Sequence, residues 1–563
     1  MFGYTITVNG RVSAKEGDIN YKNIVCSNYM IHKFERDKIF CETNDYIILL
    51  DGVVLNKDSL MKESKDPVWV DVLVKKYLQN GDCFFCELRG SFSGALYDKK
   101  EDKWIVYGDQ LGSKFTYYAL IGDFFCCSEV MGHMYHMLQE NGIHYSLNAD
   151  SAMLLLTYGY MVDDKTLCKE IHKINPGCYI TYKNGVLKEY RYYLLDNSPV
   201  DSIKEDEAVE LIDSYFRKAI IKQFEKDEEY GYKHLVALSG GLDARMTTFV
   251  AHDCGYTNQL NMTFSQCDYL DQTLPMHMAS TLRHEWVFKA LDNGLWLYDV
   301  DEITKTTGGN VLYYGAAHCN SLLKYLNFDT LGIHHSGQLG DVILGSFITS
   351  LDNGKRYEIG DKAYSKTYLS RLKDIHLQQD LNKELGMLYY RGLNGTNNGE
   401  QIIYNYTETI SPFCDLDFME KALSLPLSLR QNHRLYKKWI LEKYPHAAAF
   451  KWETTGQKIT APVLRIRGKE VPLMNIPQRI GIHIRAALGM LPNQNSKNNM
   501  NPIAYYMSNN EDLRSYLYSY FKYNDAICNH ELNKVIREIQ QKGSSIEINQ
   551  AISLLAAVKQ FFI

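Results

Sequence analysis

The chain has 563 residues, which is too long for one ordinary domain. Its 45% hydrophobic and 23% charged residues are typical of a globular protein with a sizeable core. The formal net charge of −6 argues against a nucleic acid as the main partner. No apolar run reaches the ~18 residues of a membrane span. The N-terminus has no basic region followed by an apolar core, so we expect no secretory signal.

The 13 cysteines are scattered and odd in number, which suits reduced thiols and predicts a cytoplasmic location. Cys83 and Cys86 have the spacing of a redox motif, but no second pair completes a zinc site. We interpret these two cysteines as buried packing residues.

In residues 1–195, short β-prone runs alternate with turn sequences, and this pattern predicts a β-rich domain. A helical interruption is predicted over residues 68–79. A hairpin is predicted near the end of this region, around Lys183-Asn184-Gly185. The β-prone runs are residues 46–50, 91–97, 104–108, 117–120, 178–182 and 187–193.

After a polar stretch at residues 196–206, the pattern changes to alternating strands and helices. The candidate strands are residues 234–238, 260–264, 286–291 and 330–334. Strands separated by helices predict a parallel sheet with helices on both faces. We assign residues 205–465 to this α/β domain and residues 466–563 to a mainly helical C-terminal extension.

Residues 239–243, Ser-Gly-Gly-Leu-Asp, follow the first of these strands and precede a predicted helix. Two glycines let backbone N–H groups converge on phosphate oxygens, and a helix N-terminus favours negative charge. Asp243 is a candidate ligand for the Mg²⁺ that accompanies a polyphosphate. A plain turn is the alternative. No Gly-Lys-Ser/Thr follows, so this is not a Walker loop.

Two further strands end in turns with acidic residues, at the edge of the sheet where open α/β domains bind ligands. Residues 336–341, Ser-Gly-Gln-Leu-Gly-Asp, follow the strand 330–334. Asp341 is predicted either to cap the next helix or to coordinate Mg²⁺ opposite Asp243. Asp271 follows the strand 260–264, and we favour a helix N-cap for it.

With these motifs in order, the chain resembles the asparagine synthetase B family over nearly its whole length. Any one motif is weak, whereas the whole set in the right order is strong. The matching segments are 239–243, the Ser-Gly-Gln-Leu-Gly-Asp turn 336–341, Ser-Pro-Phe-Cys-Asp 411–415, the lysine-bearing 434–439, and in the first domain Leu-Arg-Gly-Ser-Phe 88–92 with Asp-Gln-Leu-Gly 109–112.

The resemblance implies an N-terminal-nucleophile glutaminase fold followed by an ATP pyrophosphatase-like synthetase domain. Such an enzyme uses ATP and Mg²⁺ to adenylate a carboxylate, then forms an amide with ammonia or a substrate amine. A small-molecule or peptide carboxylate would be the acyl substrate. A homodimer is the family expectation.

On this resemblance, ATP is expected to bind between the two glycine-containing turns. Asp243 and Asp341 would hold Mg²⁺, and Lys438 and Lys458 are candidate cations for the leaving pyrophosphate. Surface charge is the alternative for either lysine. The other residues predicted to bind ATP are Leu238 and Phe264, which would flank the adenine, with Ser239, Gly240, Gly241, Ser336 and Gly337.

The chain departs from the family pattern at the glutaminase centre. Position 2, where the family has a nucleophilic cysteine, is Phe2, so no covalent intermediate is expected. The family's Asn-Gly pair is Asp51-Gly52 here, and a carboxylate would repel an oxyanion. We therefore predict an inactive glutaminase. A misassigned start codon is the simple alternative.

Gln338 is the second departure, since the family has Glu beside the adenylation site. A carboxamide can hydrogen-bond but cannot take up a proton, which puts aspartate as the substrate in doubt. Relatives without the cysteine include β-lactam synthetases, lasso-peptide cyclases and proteins of polysaccharide assembly. Ala244 and Gln338 favour a different class, a binding protein without catalysis. Asp243 and Asp341 favour an active ligase.

Overall fold

The computed structural model describes residues 2–11, 14–200, 202–348, 351, 354–466, 469–477, 481 and 500–563. Its first part contains two six-stranded antiparallel sheets. The strands are β1 Tyr4–Val8, β2 Ile19–Tyr21, β3 Ile24–Asn28, β4 Ile39–Glu42, β5 Tyr46–Val54, β6 Gly90–Asp98, β7 Lys103–Gly108, β8 Tyr117–Ile121, β9 Phe124–Ser128, β10 His172–Lys173, β11 Cys178–Lys183 and β12 Val186–Arg191.

The two sheets have the strand orders β10-β8-β9-β1-β3-β2 and β12-β11-β7-β6-β5-β4. Their facing side chains, such as Ile6 of β1 and Leu49 of β5, share one buried cluster. Because strand side chains alternate between faces, the other face of each sheet is apolar as well and packs against helices. The result is the predicted β-rich sandwich. Its helices are α1 Lys57–Ser64, α2 Trp69–Asn80, α3 Met131–Glu140 and α4 Ala149–Tyr158.

The second part is built on a five-stranded sheet whose described pairings are all parallel. Its strands are β13 Lys233–Ala237, β14 Gln259–Ser265, β15 Glu285–Ala290, β16 Leu331–His335 and β17 Thr409–Ile410, and a separate hairpin pairs β18 Val463–Ile466 with β19 Lys469–Pro472. These strands confirm the predicted parallel α/β domain.

The sheet order β15-β14-β13-β16-β17 fixes where ligands can enter. From β13 the chain first builds outward to β14 and β15, then returns to the other side of β13 with β16. Adjacent strands whose connections leave in opposite directions create a crevice at their carboxyl ends. The loops that follow β13 and β16 therefore lie next to each other at this switch point.

Helices cover the parallel sheet and form the C-terminal region. The last helix, Ser545–Phe561, is buried over most of its length and reaches the first domain, where Phe561 stacks on Tyr135 with ring centroids 4.1 Å apart. The helices are α5 Glu205–Glu229, α6 Asp243–Asp253, α7 Leu270–Leu282, α8 Val300–Thr307, α9 Tyr313–Leu323, α10 Lys383–Gly386, α11 Leu416–Leu423, α12 Leu427–Arg430, α13 Arg434–Lys443, α14 Pro445–Ala448, α15 Ile503–Asn509, α16 Glu511–Tyr518, α17 His530–Lys542 and α18 Ser545–Phe561.

Two shorter features complete the description. A 3₁₀ segment, Thr396–Asn405, runs between the domains and precedes β17. In the part of the chain that the structure describes, every helix is too short or too polar to cross a membrane.

Candidate functional site

The loops 239–243 and 336–341 touch each other at the switch point. A Cβ on Gly337 would lie 2.3 Å from the backbone nitrogen of Ala244. A Cβ on Gly340 would lie 2.7 Å from Cγ of Asp243. Such distances are shorter than any real contact, so only glycine lets the two loops approach this closely. The glycines of the second loop thus bring its acidic residue to the first loop.

Asp243 and Asp341 form an acidic pair where the loops meet. The Asp341 backbone N–H donates to Oδ2 of Asp243 at 2.9 Å, and the Tyr436 hydroxyl donates to Oδ1 at 2.8 Å. Burial and the neighbouring Asp341 carboxylate raise the pKa of Asp243 well above its ordinary value. Two half-buried carboxylates side by side are stabilised by a proton or a cation between them. Their oxygen atoms fit a hard cation such as Mg²⁺.

A cavity of about 530 Å³ opens above this pair. Phe264, at the end of β14, packs against His318 of α9 with ring centroids 4.7 Å apart on one wall. The structure brings eight of the predicted site residues to this cavity. They are Ser239, Gly241, Asp243, Phe264, Ser336, Gly337, Gln338 and Asp341.

Two predicted ATP-binding residues lie behind the cavity wall instead. Leu238 is 2% exposed and belongs to the core, whereas its neighbours Ala237 and Ser239 line the cavity. Successive side chains of an extended chain point to opposite faces. Ala237 and Ser239 therefore face the cavity, whereas Leu238 between them faces the core. Gly240 is turned toward the protein, where its N–H donates to Asp271 Oδ1 at 2.8 Å.

That hydrogen bond corrects the prediction for Asp271. The helix α7 has Tyr269 at its N-cap, without a side-chain cap, and the carboxylate of Asp271 holds the 239–243 loop. On the other side of the loop, the buried guanidinium of Arg245 donates to the Gly240 carbonyl at 3.0 Å. The loop is thus fixed from both sides before any ligand binds.

The structure does not bring the two predicted lysines to the described cavity lining. The Lys438 ammonium faces the start of α5, where it pairs with Asp206 and lies 3.6 Å from Glu205. On α13 it lies one turn from Glu442, and these acids account for its charge. Lys458 is exposed, in a segment whose residues Trp452 and Thr454 do line the cavity. Its role in catalysis stays a prediction.

Several cavity residues were not found from the sequence, and Glu400 is the most informative of them. It belongs to the segment Thr396–Asn405, whose irregular 3₁₀ geometry has no sequence periodicity to reveal a buried face. Arg391, Tyr160 and His433 also line the cavity. These three residues lie on different elements that are far apart in the sequence, so no local pattern connects them with the cavity.

The region predicted as the glutaminase centre holds a buried cluster of charges. Lys38 lies 3.0 Å from Asp51 and 2.9 Å from Glu408, and Lys114 pairs with the same two acids. Although burial alone would raise it, the ammonium groups of Lys114 and Lys38 hold the pKa of Asp51 well below its usual range. Burial and the Asp51 charge raise the pKa of Glu129 well above its ordinary value.

With Glu129 protonated, this charge cluster (Lys38, Asp51, Lys114, Glu129 and Glu408) has two positive and two negative charges. Lys38 and Lys114 therefore compensate the negative charge of Asp51. This modifies the expectation from the sequence that an uncompensated carboxylate would repel an oxyanion. Glu408 comes from the second domain, next to β17, so the cluster also joins the two domains.

Phe2 closes the charge cluster from the N-terminal side. Its side chain is 3% exposed and packs on Tyr404, with ring centroids 5.5 Å apart. The Lys114 ammonium lies 4.8 Å from the centre of the Tyr404 ring, and the Tyr404 hydroxyl is 3.1 Å from Ser91 Oγ. Aromatic rings and charge pairs thus fill the space around Phe2.

One further group among the described residues has metal-ligand chemistry. Asp227, His234 and His335 place their ligand atoms within 4.8 Å of one another. In the structure both imidazoles bind the same carboxylate oxygen, at 2.9 and 2.8 Å. The other oxygen accepts from the Ile333 N–H at 2.7 Å. These bonds satisfy the carboxylate and tie α5 to β13 and β16 beneath the loops.

Comparisons with known proteins were made for the sequence and the structure. A glutamine amidotransferase domain family matches residues 38–193. Asparagine synthetase [glutamine-hydrolyzing] 2 of Lotus japonicus is 25% identical over 443 residues, covering 72% of this chain. The match spans 63% of that relative, less than two thirds of its length.

Three solved structures resemble parts of the chain. An allosteric regulatory enzyme of purine biosynthesis is 10% identical, covering 51% of this chain and 74% of its own, with a TM-score of 0.24. A glutamine phosphoribosylpyrophosphate amidotransferase from B. subtilis is 10% identical, covering 51% and 59%, with a TM-score of 0.23. An NH3-dependent NAD synthetase from Campylobacter jejuni is 12% identical, covering 26% and 62%, with a TM-score of 0.19. At these scores the fold assignment depends on the strand order described above.

Proposed function

Because the chain is a relative of the glutamine-hydrolysing asparagine synthetases, we propose that it is an ATP-dependent ligase that joins a carboxylate to ammonia or an amine. The observation that supports this most is the Asp243–Asp341 pair, at the switch-point crevice and beneath a cavity of about 530 Å³. Two neighbouring carboxylates repel each other, and a cation between them would offset that repulsion.

In the proposed reaction, a substrate carboxylate attacks the α-phosphorus of ATP and pyrophosphate leaves. Phosphate oxygens would be held by backbone N–H groups at the N-terminus of α6, while the Gly240 N–H stays bonded to Asp271 and fixes the loop. Asp243 and Asp341 would hold Mg²⁺, which offsets the charge that develops on the pyrophosphate. Ammonia or an amine then attacks the acyl carbon, and AMP leaves.

We also propose that the first domain does not hydrolyse glutamine. Phe2 has no nucleophilic atom, and the charge cluster with Tyr404 fills the space around it. The nitrogen donor would then be free ammonia or an amine substrate. The acyl substrate would be a small-molecule or peptide carboxylate, which fits a cavity of this size.

ATP–pyrophosphate exchange with a panel of carboxylic acids tests the ligase. We expect Mg²⁺-dependent exchange with at least one acid, and loss of exchange in Asp243→Asn. Mg·ATP binding without AMP production from any acid and amine would contradict the ligase and support a binding protein of the same fold.

A further inference from the structure

One carboxylate lies in the wall shared by two cavities. Glu400 lines the large cavity above the acidic pair and also a smaller one of about 50 Å³ between the domains. Its segment is anchored to the first domain, since Gln401 Nε2 donates to the Ser113 carbonyl at 3.1 Å. Polar side chains in a cavity wall are candidates for contact with the substrate.

The Glu400 carboxylate is directed at the 336–341 loop. It lines the large cavity together with Ser336 and Gln338 of that loop, and the smaller cavity together with Gln338 and Thr409. The backbone of Gln338 is fixed in turn, because the Ser411 hydroxyl donates to its carbonyl at 2.8 Å. Glu400 therefore lies beside the position where the related family has an acid and this chain has a carboxamide.

Among the described residues that line the large cavity, the acids are Asp243, Asp341 and Glu400. The first two form the pair assigned to the cation. Two histidines of the lining, His318 and His334, have their pKa lowered by burial to about 4 and about 3, so they are neutral at pH 7. Among the acids and histidines of this lining, Glu400 and His433 are thus the two remaining candidates for a general base.

We propose that Glu400 accepts a proton from the attacking nitrogen when the amide forms, a role that depends on the proposed ligase function. The nitrogen lone pair forms the C–N bond to the acyl-adenylate carbon, and the C–O bond to phosphate breaks with its electrons leaving on AMP. The nitrogen gives up one proton, which the carboxylate of Glu400 takes. The carboxyl group is then neutral until it returns the proton to water.

The expected pH dependence follows from the surroundings of Glu400. Burial raises its pKa to about 7, although the nearby polar side chains of Ser336, Gln338 and Thr409 lower it. The carboxylate is therefore available above pH 7 and is lost as the pH falls. Titratable groups around Glu400 include the thiols of Cys319 and Cys414, whose pKa burial raises, and His334, which hydrogen-bonds Thr409. Across the smaller cavity lie Asp109, whose pKa burial raises to about 6, and Asp415, whose pKa burial also raises.

Glu400→Gln is the decisive variant, because it keeps the size and shape of the side chain and removes its ability to take up a proton. The probe is a carboxylic acid that supports ATP–pyrophosphate exchange, with ammonium as the nitrogen donor. We expect exchange to stay within about twofold, while amide formation falls on the order of 10²-fold or more. Retained exchange also shows that the variant is folded.

The ratio of wild-type to Glu400→Gln amide-forming rates, measured from pH 5.5 to 8.5, removes the titration of the nitrogen donor itself. We expect this ratio to rise through a pKa of about 7. His433→Gln is the matched control and is expected to keep the wild-type profile. The double variant Gln338→Glu with Glu400→Gln should recover at least tenfold, because it restores a carboxylate beside the same position.

Three outcomes would overturn the proposal for Glu400. They are unchanged amide formation in Glu400→Gln, equal loss of exchange and amide formation, or a pH limb that disappears in His433→Gln instead. These differ from failure of the ligase itself, in which the wild-type protein makes no AMP with any acid. That result would refute both proposals.

Discussion

The charge cluster of the first domain and the acidic pair of the second domain differ in how their charges are compensated. In the first domain, two lysines and two ionised acids neutralise one another, and aromatic rings fill the remaining space. In the second domain, two acids lie side by side beneath an open cavity. The opposite charges of the cluster compensate one another, whereas a pair of like charges is stabilised by taking up a proton or a cation. This difference is the reason for proposing that the ligase chemistry takes place in the second domain.

The largest effect is expected from breaking the charge cluster. Glu408→Ala removes an acid that binds both Lys38 and Lys114, so buried positive charge loses a partner. We expect destabilisation of about 3–5 kcal/mol. Urea unfolding measures this as a lower midpoint of the first transition, since two domains need not unfold together. Glu442→Ala on the exposed side of α13 is the control, expected within about 0.5 kcal/mol. An unchanged midpoint for Glu408→Ala would show that the cluster adds no stability.

The next effect separates the two lysines predicted from the sequence. Lys458 follows the cavity-lining residues Trp452 and Thr454, and the Glu453 N–H donates to the Gly240 carbonyl at 3.1 Å. We expect Lys458→Ala to lower turnover on the order of 10²-fold with little change in ATP affinity. Lys438→Ala, whose ammonium pairs with Asp206, should change turnover less than twofold. Equal effects of the two substitutions would remove the special role of Lys458.

A smaller effect is expected from the acidic pair. Asp243→Asn removes one charged metal ligand and should weaken Mg·ATP binding at least tenfold, about 1.4 kcal/mol. Calorimetry measures this affinity directly. Asp253→Asn, at the exposed C-terminal end of the same helix, makes the same chemical change away from the cavity and should leave affinity unchanged. If both variants bind like the wild type, ATP does not use this site.

The smallest effect is expected from restoring a thiol in the first domain. Phe2→Cys supplies a nucleophilic atom, but Lys38, Lys114 and Asp51 still occupy the surrounding space. We expect no glutaminase activity above that of Phe2→Ala, measured as ammonia released from glutamine. Ammonia release that a thiol-directed inhibitor abolishes, in the wild type or in Phe2→Cys, would show that the first domain has kept its chemistry.

Much of the fold was predictable, because the elements depend on local patterns. The strand at residues 91–97 and the helix at 68–79 appear as β6 and α2 with ends shifted by one residue or so. The strands β13, β14 and β16 were found from short apolar runs followed by turns. The sheet order then places their loops at one edge, which is why eight predicted residues meet at the cavity.

The residues that were placed wrongly differ in side-chain orientation or in their hydrogen-bond and ion-pair partners, which local sequence patterns do not reveal. Leu238 was expected at the cavity, but the alternation of strand side chains turned Ala237 toward it instead. Asp271 was predicted as a cap, although its partner Gly240 is 31 residues away. Lys438 pairs with acids on α5, which no pattern near residue 438 reveals.

The charge cluster limits the single substitutions that the first domain can accept. A change to a glutamine-hydrolysing centre would have to replace Phe2 and Asp51 and remove the lysines that balance that acid. Any one of these charge changes alone leaves a buried charge without its partner, which costs several kcal/mol. This cost is comparable with the whole free energy of unfolding of many domains. Each intermediate would therefore fold poorly before any such activity appeared. On the proposal that the first domain does not hydrolyse glutamine, the cluster makes that activity difficult to introduce by single substitutions.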